Sequence, residues 1–438
     1  MTTAIALPHA KRTLPNGLDV IVHEDRRVPI VAVNLWYHVG SKNERSGRTG
    51  FAHLFEHLMF EGSEHYNKGY FFPLQQAGAL LNGSTNSDRT NYWEVVPTTS
   101  LELALWMESD RMGYLLPALT PERFETQRGV VLNERRQNYE NRPYGMALMA
   151  ISAALYPPDH PYHWLTIGAA DDLRAMEFED VRAFFRAYYH PANASLALAG
   201  DINAERAFQL AEGYFGDIPA GEKPTRVRAE ASVAREVRLV LEDRVELPRV
   251  YMAWHSPAMF AEGDAEADLL ADLLANGKTS RLYRTLVYDK RLAVDVSAFQ
   301  HSRELSSFFL LASTAAPGQS LTEIAAVIDE RIQALADEGP TVPEMERGLA
   351  QAEAHFMYRL QTVGGFGGKS DQLNAYNVFR GDPDFFGDDL GRYRQATAKS
   401  VGATARKYLA FDRRVLLSIV PRGQAAFALP GSEPVSVS

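Results

Sequence analysis

Val20-Ile21-Val22-His23-Glu24-Asp25-Arg26-Arg27-Val28-Pro29-Ile30-Val31 is echoed 218 or 219 residues later by Leu239-Val240-Leu241-Glu242-Asp243-Arg244-Val245-Glu246-Leu247-Pro248-Arg249-Val250. In both, an apolar stretch meets an acidic–basic turn and a proline, and a second apolar run follows with a tryptophan near its end, Trp36 or Trp254. Runs rich in β-branched and aromatic residues, punctuated this way, read as β-strands. A helical stretch comes next in each half, Phe51 to Gly62 against Glu266 to Gly277. A late match closes each half: Tyr188 with Ala194 to Ala199, and Tyr408 with Val415 to Val420. Four anchors at nearly one offset mark an internal repeat. They predict an α+β chain of two homologous tandem α/β-layered domains, each a mostly antiparallel sheet packed with helices. The first domain is expected over residues 1–218 and the second over 233–438. The polar, Pro- and Gly-bearing residues 219–232 form the linker.

Composition narrows the chemistry. The 438 residues include no cysteine, which excludes disulfides, thiolate metal sites and a cysteine nucleophile. Any metal must be held by His, Asp or Glu. With 45 basic against 55 acidic residues and no long basic block, nucleic acid is not an expected partner. No stretch reaches the ~18 apolar residues of a membrane span, so no membrane partner is expected. Met1 to Leu18 lacks the continuous apolar core of a secretory leader. The chain reads as cytoplasmic, or as periplasmic if a leader has been removed.

Leu101 to Leu116 and Ser320 to Asp337 carry apolar residues at three- and four-residue spacing, the mark of amphipathic helices. Leu18 to Val22, Val31 to Val39, Asn91 to Val96 and Ala194 to Ala199 read as strands. The glycine-rich Val363-Gly364-Gly365-Phe366-Gly367-Gly368-Lys369-Ser370 has the wrong spacing for a phosphate loop and reads as a flexible turn between two helices.

The sharpest motif is His53-Leu54-Phe55-Glu56-His57. On a helix, residues four apart lie on one face, so His53 and His57 aim two imidazoles at a common point. Zinc accepts such a pair. Glu56 edges the same face, where a carboxylate can take the proton of a metal-activated water. Leu54, Phe55, Leu58 and Met59 fill the apolar positions around these three. H-x-x-E-H is a known zinc-peptidase pattern. A third ligand must come from elsewhere. Val130 to Leu132 lead into Asn133-Glu134-Arg135-Arg136, on a helix expected to continue to about Asn141. Taken alone, Glu134 would pass for a solvated surface acid.

With these residues in view, the chain resembles the inverted-motif zinc peptidases that include pitrilysin, insulin-degrading enzyme and mitochondrial processing peptidase. That family's pattern places a Glu 77 positions after the second His, and Glu134 stands there. The flanks also match: Gly50-Phe51-Ala52 before the motif, and Met59-Phe60-Glu61-Gly62-Ser63 after it. Ala77 to Thr85 with Asp88 to Tyr92 resembles the family's cleft-lining strand, and His160-Pro161-Tyr162 a loop of its first domain. The resemblance implies a zinc metalloendopeptidase with one Zn2+ per chain. His53, His57 and Glu134 would be ligands and Glu56 the general base. Asn82 would contact substrate. It also implies a four-domain, clam-shaped dimer that takes extended or unfolded peptides by strand addition. Asp268, Ala271 and Asp272 replace the motif in the second half, which would then carry no site. His65, His160 and His163 read as surface or hydrogen-bonded histidines rather than a fourth ligand.

Two departures stand out. Gln127 occupies a position beside the metal where relatives often carry Glu, so tuning rather than loss of zinc is expected. The Arg and Tyr that hold substrate in self-sufficient relatives are replaced by Val287 and Val294, which have no hydrogen bond to give. A heterodimer is therefore expected, with a homologous partner supplying the Arg/Tyr pair. The alternatives are a homodimer, with Tyr288 or Arg291 substituting locally, and a non-catalytic assembly or scaffold subunit of the same family.

Overall fold

The computed structural model describes residues 6–437. The leader expectation for Met1 to Leu18 therefore falls partly on residues 1–5, outside the described residues. Twelve strands are present among those described: β1 (Ala10–Thr13), β2 (Asp19–Glu24), β3 (Ile30–Tyr37), β4 (Leu80–Thr85), β5 (Thr90–Pro97), β6 (Ala194–Gly200), β7 (Val237–Asp243), β8 (Arg249–Ser256), β9 (Ala293–His301), β10 (Ser307–Ala315), β11 (Val415–Pro421) and β12 (Glu433–Pro434). They form two six-stranded sheets, ordered β1-β2-β6-β3-β5-β4 and β12-β7-β11-β8-β10-β9. The repeat is therefore one of topology. In each sheet a parallel pair, β2 with β6 or β7 with β11, joins an antiparallel run through β3-β5-β4 or β8-β10-β9. Residues 219–235 form neither helix nor strand.

Each sheet is built from one half of the chain, but the compact units are not. The first gathers residues up to 133, 166–227 and 355–389; the second gathers 134–165, 228–354 and 390–438. Division at 218 and 233 therefore separates the sheets and not the packed bodies. The physical reason lies in β6 and β11, which are buried along their whole length. A strand buried on both faces needs a helix on each. In the first unit the helix Lys369–Arg380 packs on β2, β3 and β6. In the second unit the helix Ala147–Leu155 packs on β8 and β11. His160-Pro161-Tyr162 accordingly belongs to the second unit, not to the first as the sequence reading had it.

The two faces of the first sheet differ in chemistry. Tyr92 and Glu94 turn toward the helices Phe51–Leu58 and Leu101–Ala118. There the Tyr92 hydroxyl donates to the Phe55 carbonyl, and Arg111 reaches Glu108 and Glu94. Asn34, Trp36 and Asn91 turn to the other face, where all three donate to the Asp371 carboxylate at 3.0–3.2 Å. The glycine-rich segment is indeed the bend between helices Val342–Arg359 and Lys369–Arg380. Gly364 lies so close to the sheet that a Cβ there would sit 2.5 Å from the Ala32 Cβ and 2.6 Å from Val95 Cγ2.

Candidate metal centre

The helix Phe51–Leu58 starts after Gly50, whose φ of 95° is open to glycine at little cost. The carboxylate of Glu44 accepts from the Gly50 and Ala52 amides, satisfying donors that a helix start leaves unpaired. Phe51, Ala52, Leu54, Phe55 and Leu58 are buried, so the remaining face, carrying His53, Glu56 and His57, is left half-exposed. The two imidazoles stand edge-on, their ring centroids 4.9 Å apart.

Glu134 sits in the last turn of the helix Pro121–Arg135. The helix continues to about Asn141 as expected, but as a wider π-turn over Arg136–Glu140. That turn brings Asn138 back to donate to the Glu134 carboxylate at 3.3 Å. Buried Arg135 pairs with Glu140 and fixes the same turn. Ligand atoms of His53, His57 and Glu134 all lie within 4.8 Å of one another. No other group of three such residues is found among the described residues. Two imidazoles and one carboxylate suit zinc, and three protein ligands rather than four leave a position open, as in catalytic sites.

The other residues singled out from sequence fall as follows. Asn82 is exposed on β4, the unpaired edge of the first sheet, and its side-chain oxygen accepts from the Gly83 amide. Gln127 donates to the Glu61 carboxylate, just beyond the histidine helix. His65 bonds Asp110, His163 bonds the Tyr156 carbonyl, and His160 accepts from the Tyr162 amide, so all three are engaged away from the metal group. In the second half, Asp268 accepts from Tyr393 and Asp272 from Asn276. Val287 packs against the second unit's core, while Val294, Tyr288 and Arg291 are exposed.

Arg89, which the sequence reading passed over, lies within the field of Glu56. It donates to the Ser84 carbonyl and hydroxyl and lies 5.1 Å from the Trp36 ring centroid. Burial pushes its guanidinium pKa down, against the fields of Asp371, Glu56 and Asp88. Below the site, Arg111 is buried between Glu94 and Glu108 and stacks on Tyr70 and Tyr92 at 3.8 and 4.1 Å. Burial pushes the Glu94 carboxyl well up, and Glu108 adds to it.

Two histidines and a glutamate around one point, with a second carboxylate on the histidine helix, make a candidate metal centre of the hydrolytic kind. Comparison with known proteins agrees. Residues 19–160 match the family described as insulinase, peptidase family M16, and residues 175–352 match the peptidase M16 inactive domain. Zinc protease PqqE of Helicobacter pylori is 30% identical over 385 residues, covering 86% of each chain. Mitochondrial-processing peptidase subunit beta of Caenorhabditis elegans is 27% identical over 267 residues, covering 60% of this chain and 56% of that one. The crystal structure of a protease from Helicobacter pylori superposes with a TM-score of 0.88 at 26% identity, covering 95% of this chain and all of that one. The chain belongs to peptidase family M16.

Proposed function

We propose that this chain is the metal-bearing subunit of a zinc endopeptidase acting on extended or unfolded peptides. The reading rests on one observation: His53, His57 and Glu134 converge within 4.8 Å while Glu56 shares the helix of the two histidines. A zinc ion held by the three would acidify a water and polarise a peptide carbonyl. Glu56 takes the proton of the attacking water and returns it to the departing amine. Asn82, exposed on the edge strand β4, holds the peptide backbone. That strand, Leu80 to Thr85, has a free edge and no charged residue to guard it, which suits an added peptide strand.

Val287 and Val294 offer no donor to a substrate carbonyl. We assign that task to an Arg/Tyr pair on a homologous partner in a four-domain dimer. The name of the relative called subunit beta is in keeping with this.

The test is metal content and peptide cleavage on one purified sample, with Glu56→Gln as control. The proposal expects about one zinc per chain, slow cleavage by the lone chain, and none by the control. Absence of bound zinc would overturn the catalytic reading. Rapid cleavage by the lone chain would remove the need for a partner.

A further inference from the structure

The glycine-rich bend found no role in the chemistry above, yet it forms one wall of a cavity of about 530 Å³ within the first unit. The opposite wall is the sheet: Ile30 of β3, Val95 and Trp93 of β5, and Leu80 of β4. Val363 and Gly364 close it. The approach of Gly364 to Ala32 and Val95 sets its floor, since any side chain at that position would have to displace the sheet or the bend. Asp25 and Arg27 stand at the rim and are bonded to each other, and Asp25 also takes Lys369. The lining charges are thus already neutralised, and what the cavity offers is apolar surface.

Leu80 links this cavity to the edge strand. It is 70% exposed, a costly state for a leucine, and Val28 in the same wall is 48% exposed. Period-two alternation puts Leu80 on the same side of β4 as Asn82 and Ser84. This is the side of Val95 and Trp93, their cross-strand partners. The Trp93 indole N–H is buried with no hydrogen-bond partner. A peptide laid along the free edge of β4 would project alternate side chains over this face, past Leu80 and into the cavity.

We propose that this cavity is a specificity pocket that takes one large apolar side chain of the bound peptide, at the residue paired opposite Leu80. The proposal rests on the peptidase reading of the metal centre. It adds a determinant at the far end of β4, built from Leu80, Trp93, Val95 and the glycine-rich bend.

The test uses full-length, zinc-loaded Glu56→Gln protein, so that binding is read without cleavage. A labelled 12-residue Ser/Gly-rich peptide is compared with a set in which one leucine is walked through each position, by fluorescence anisotropy. Burying a leucine predicts about tenfold tighter binding at one position. Val95→Trp, which fills the cavity, should bring the leucine-to-serine ratio back to near one. Leu80→Ser, at a surface position that puts folding at little risk, should lower the same ratio. A flat leucine walk overturns the pocket, and so does a preference that survives both substitutions. If the wild-type chain binds no zinc, the peptidase reading fails. The pocket still stands or falls on the leucine ratio.

Discussion

His53 and His57 stand edge-on, with ring planes at 88° and centroids 4.9 Å apart. That arrangement follows from one helical turn of separation, and it brings both imidazoles within reach of Glu134. Removing either ring leaves two ligands, too few to hold zinc against exchange with buffer. His57→Ala should therefore lower zinc from about one per chain to near zero, while circular dichroism and the melting profile stay close to those of the zinc-stripped parent. His57 lies on the helix's half-exposed face, so no core packing is lost. Zinc retained near one per chain in this variant would mean that the metal sits elsewhere.

Gln127 gives its amide to Glu61, and this decides what substitution there does. Gln127→Ala removes one hydrogen bond and should weaken zinc binding less than tenfold. Gln127→Glu installs the carboxylate common in relatives, but here it would face Glu61. Two carboxylates in contact repel, whereas the alanine variant loses the same hydrogen bond without that repulsion, so Gln127→Glu should be the less stable of the two by about 1 kcal/mol at pH 7. The gap should close as pH falls and one of the pair takes a proton. Urea unfolding at pH 7 and pH 5 checks both the sign and the closure.

What the sequence could reveal depended on how local the cause was. His53, Glu56 and His57 are legible because one helical turn sets their geometry. Glu134 lies 77 residues further on, and only family resemblance lifted it above an ordinary surface acid. The helix Lys369–Arg380 was not legible as a buried element at all. Its buried apolar side chains are only Leu373 and Tyr376, and its polar contacts to the sheet are made by Lys369, Asp371, Asn374 and Asn377. Those groups are buried because their partners are Asp25, Asn34, Trp36, Asn91 and Ser195, over 150 residues away in sequence. The exchange of helices between halves follows from the same cause. Hydropathy periodicity reports which side of a helix is apolar, not which sheet it covers.

Arg111 is 1% exposed, and beside it lie two carboxylates just as deeply buried. Burial works against its charge, and Glu108, Tyr70 and Glu94 outweigh that, holding the guanidinium firmly protonated. Arg111→Met keeps much of the volume but leaves the buried Glu108 carboxylate without its counter-charge. A cost of about 3–5 kcal/mol is expected. The triple change with Glu94→Gln and Glu108→Leu should recover much of it, because uncompensated charge rather than lost packing is the cause. Denaturant unfolding of the set settles the point: a loss below about 1 kcal/mol in Arg111→Met would show the cluster to be dispensable.

His160 gives the second unit a pH dependence whose sign can be worked out. Its ring is buried against Tyr156, with centroids 4.6 Å apart. Burial, then the nearby positive charge of Arg303, then His255 bring its pKa down from 6.5 to about 4; Asp159 opposes them weakly. Between those two values the unfolded chain binds a proton that the folded chain refuses. Stability is therefore full above about pH 6.5 and falls as pH drops toward 4. At about 1.4 kcal/mol per pH unit, His160 accounts for roughly 2 kcal/mol of the difference between pH 7 and pH 4.5. His255, His190 and His23 are also lowered by burial and act in the same direction. His160→Asn keeps an acceptor for the Tyr162 amide and removes the titration. Unfolding free energies at the two pH values should differ by about 2 kcal/mol less in this variant than in the parent. An undiminished difference would show that His160 titrates alike in the folded and unfolded chain.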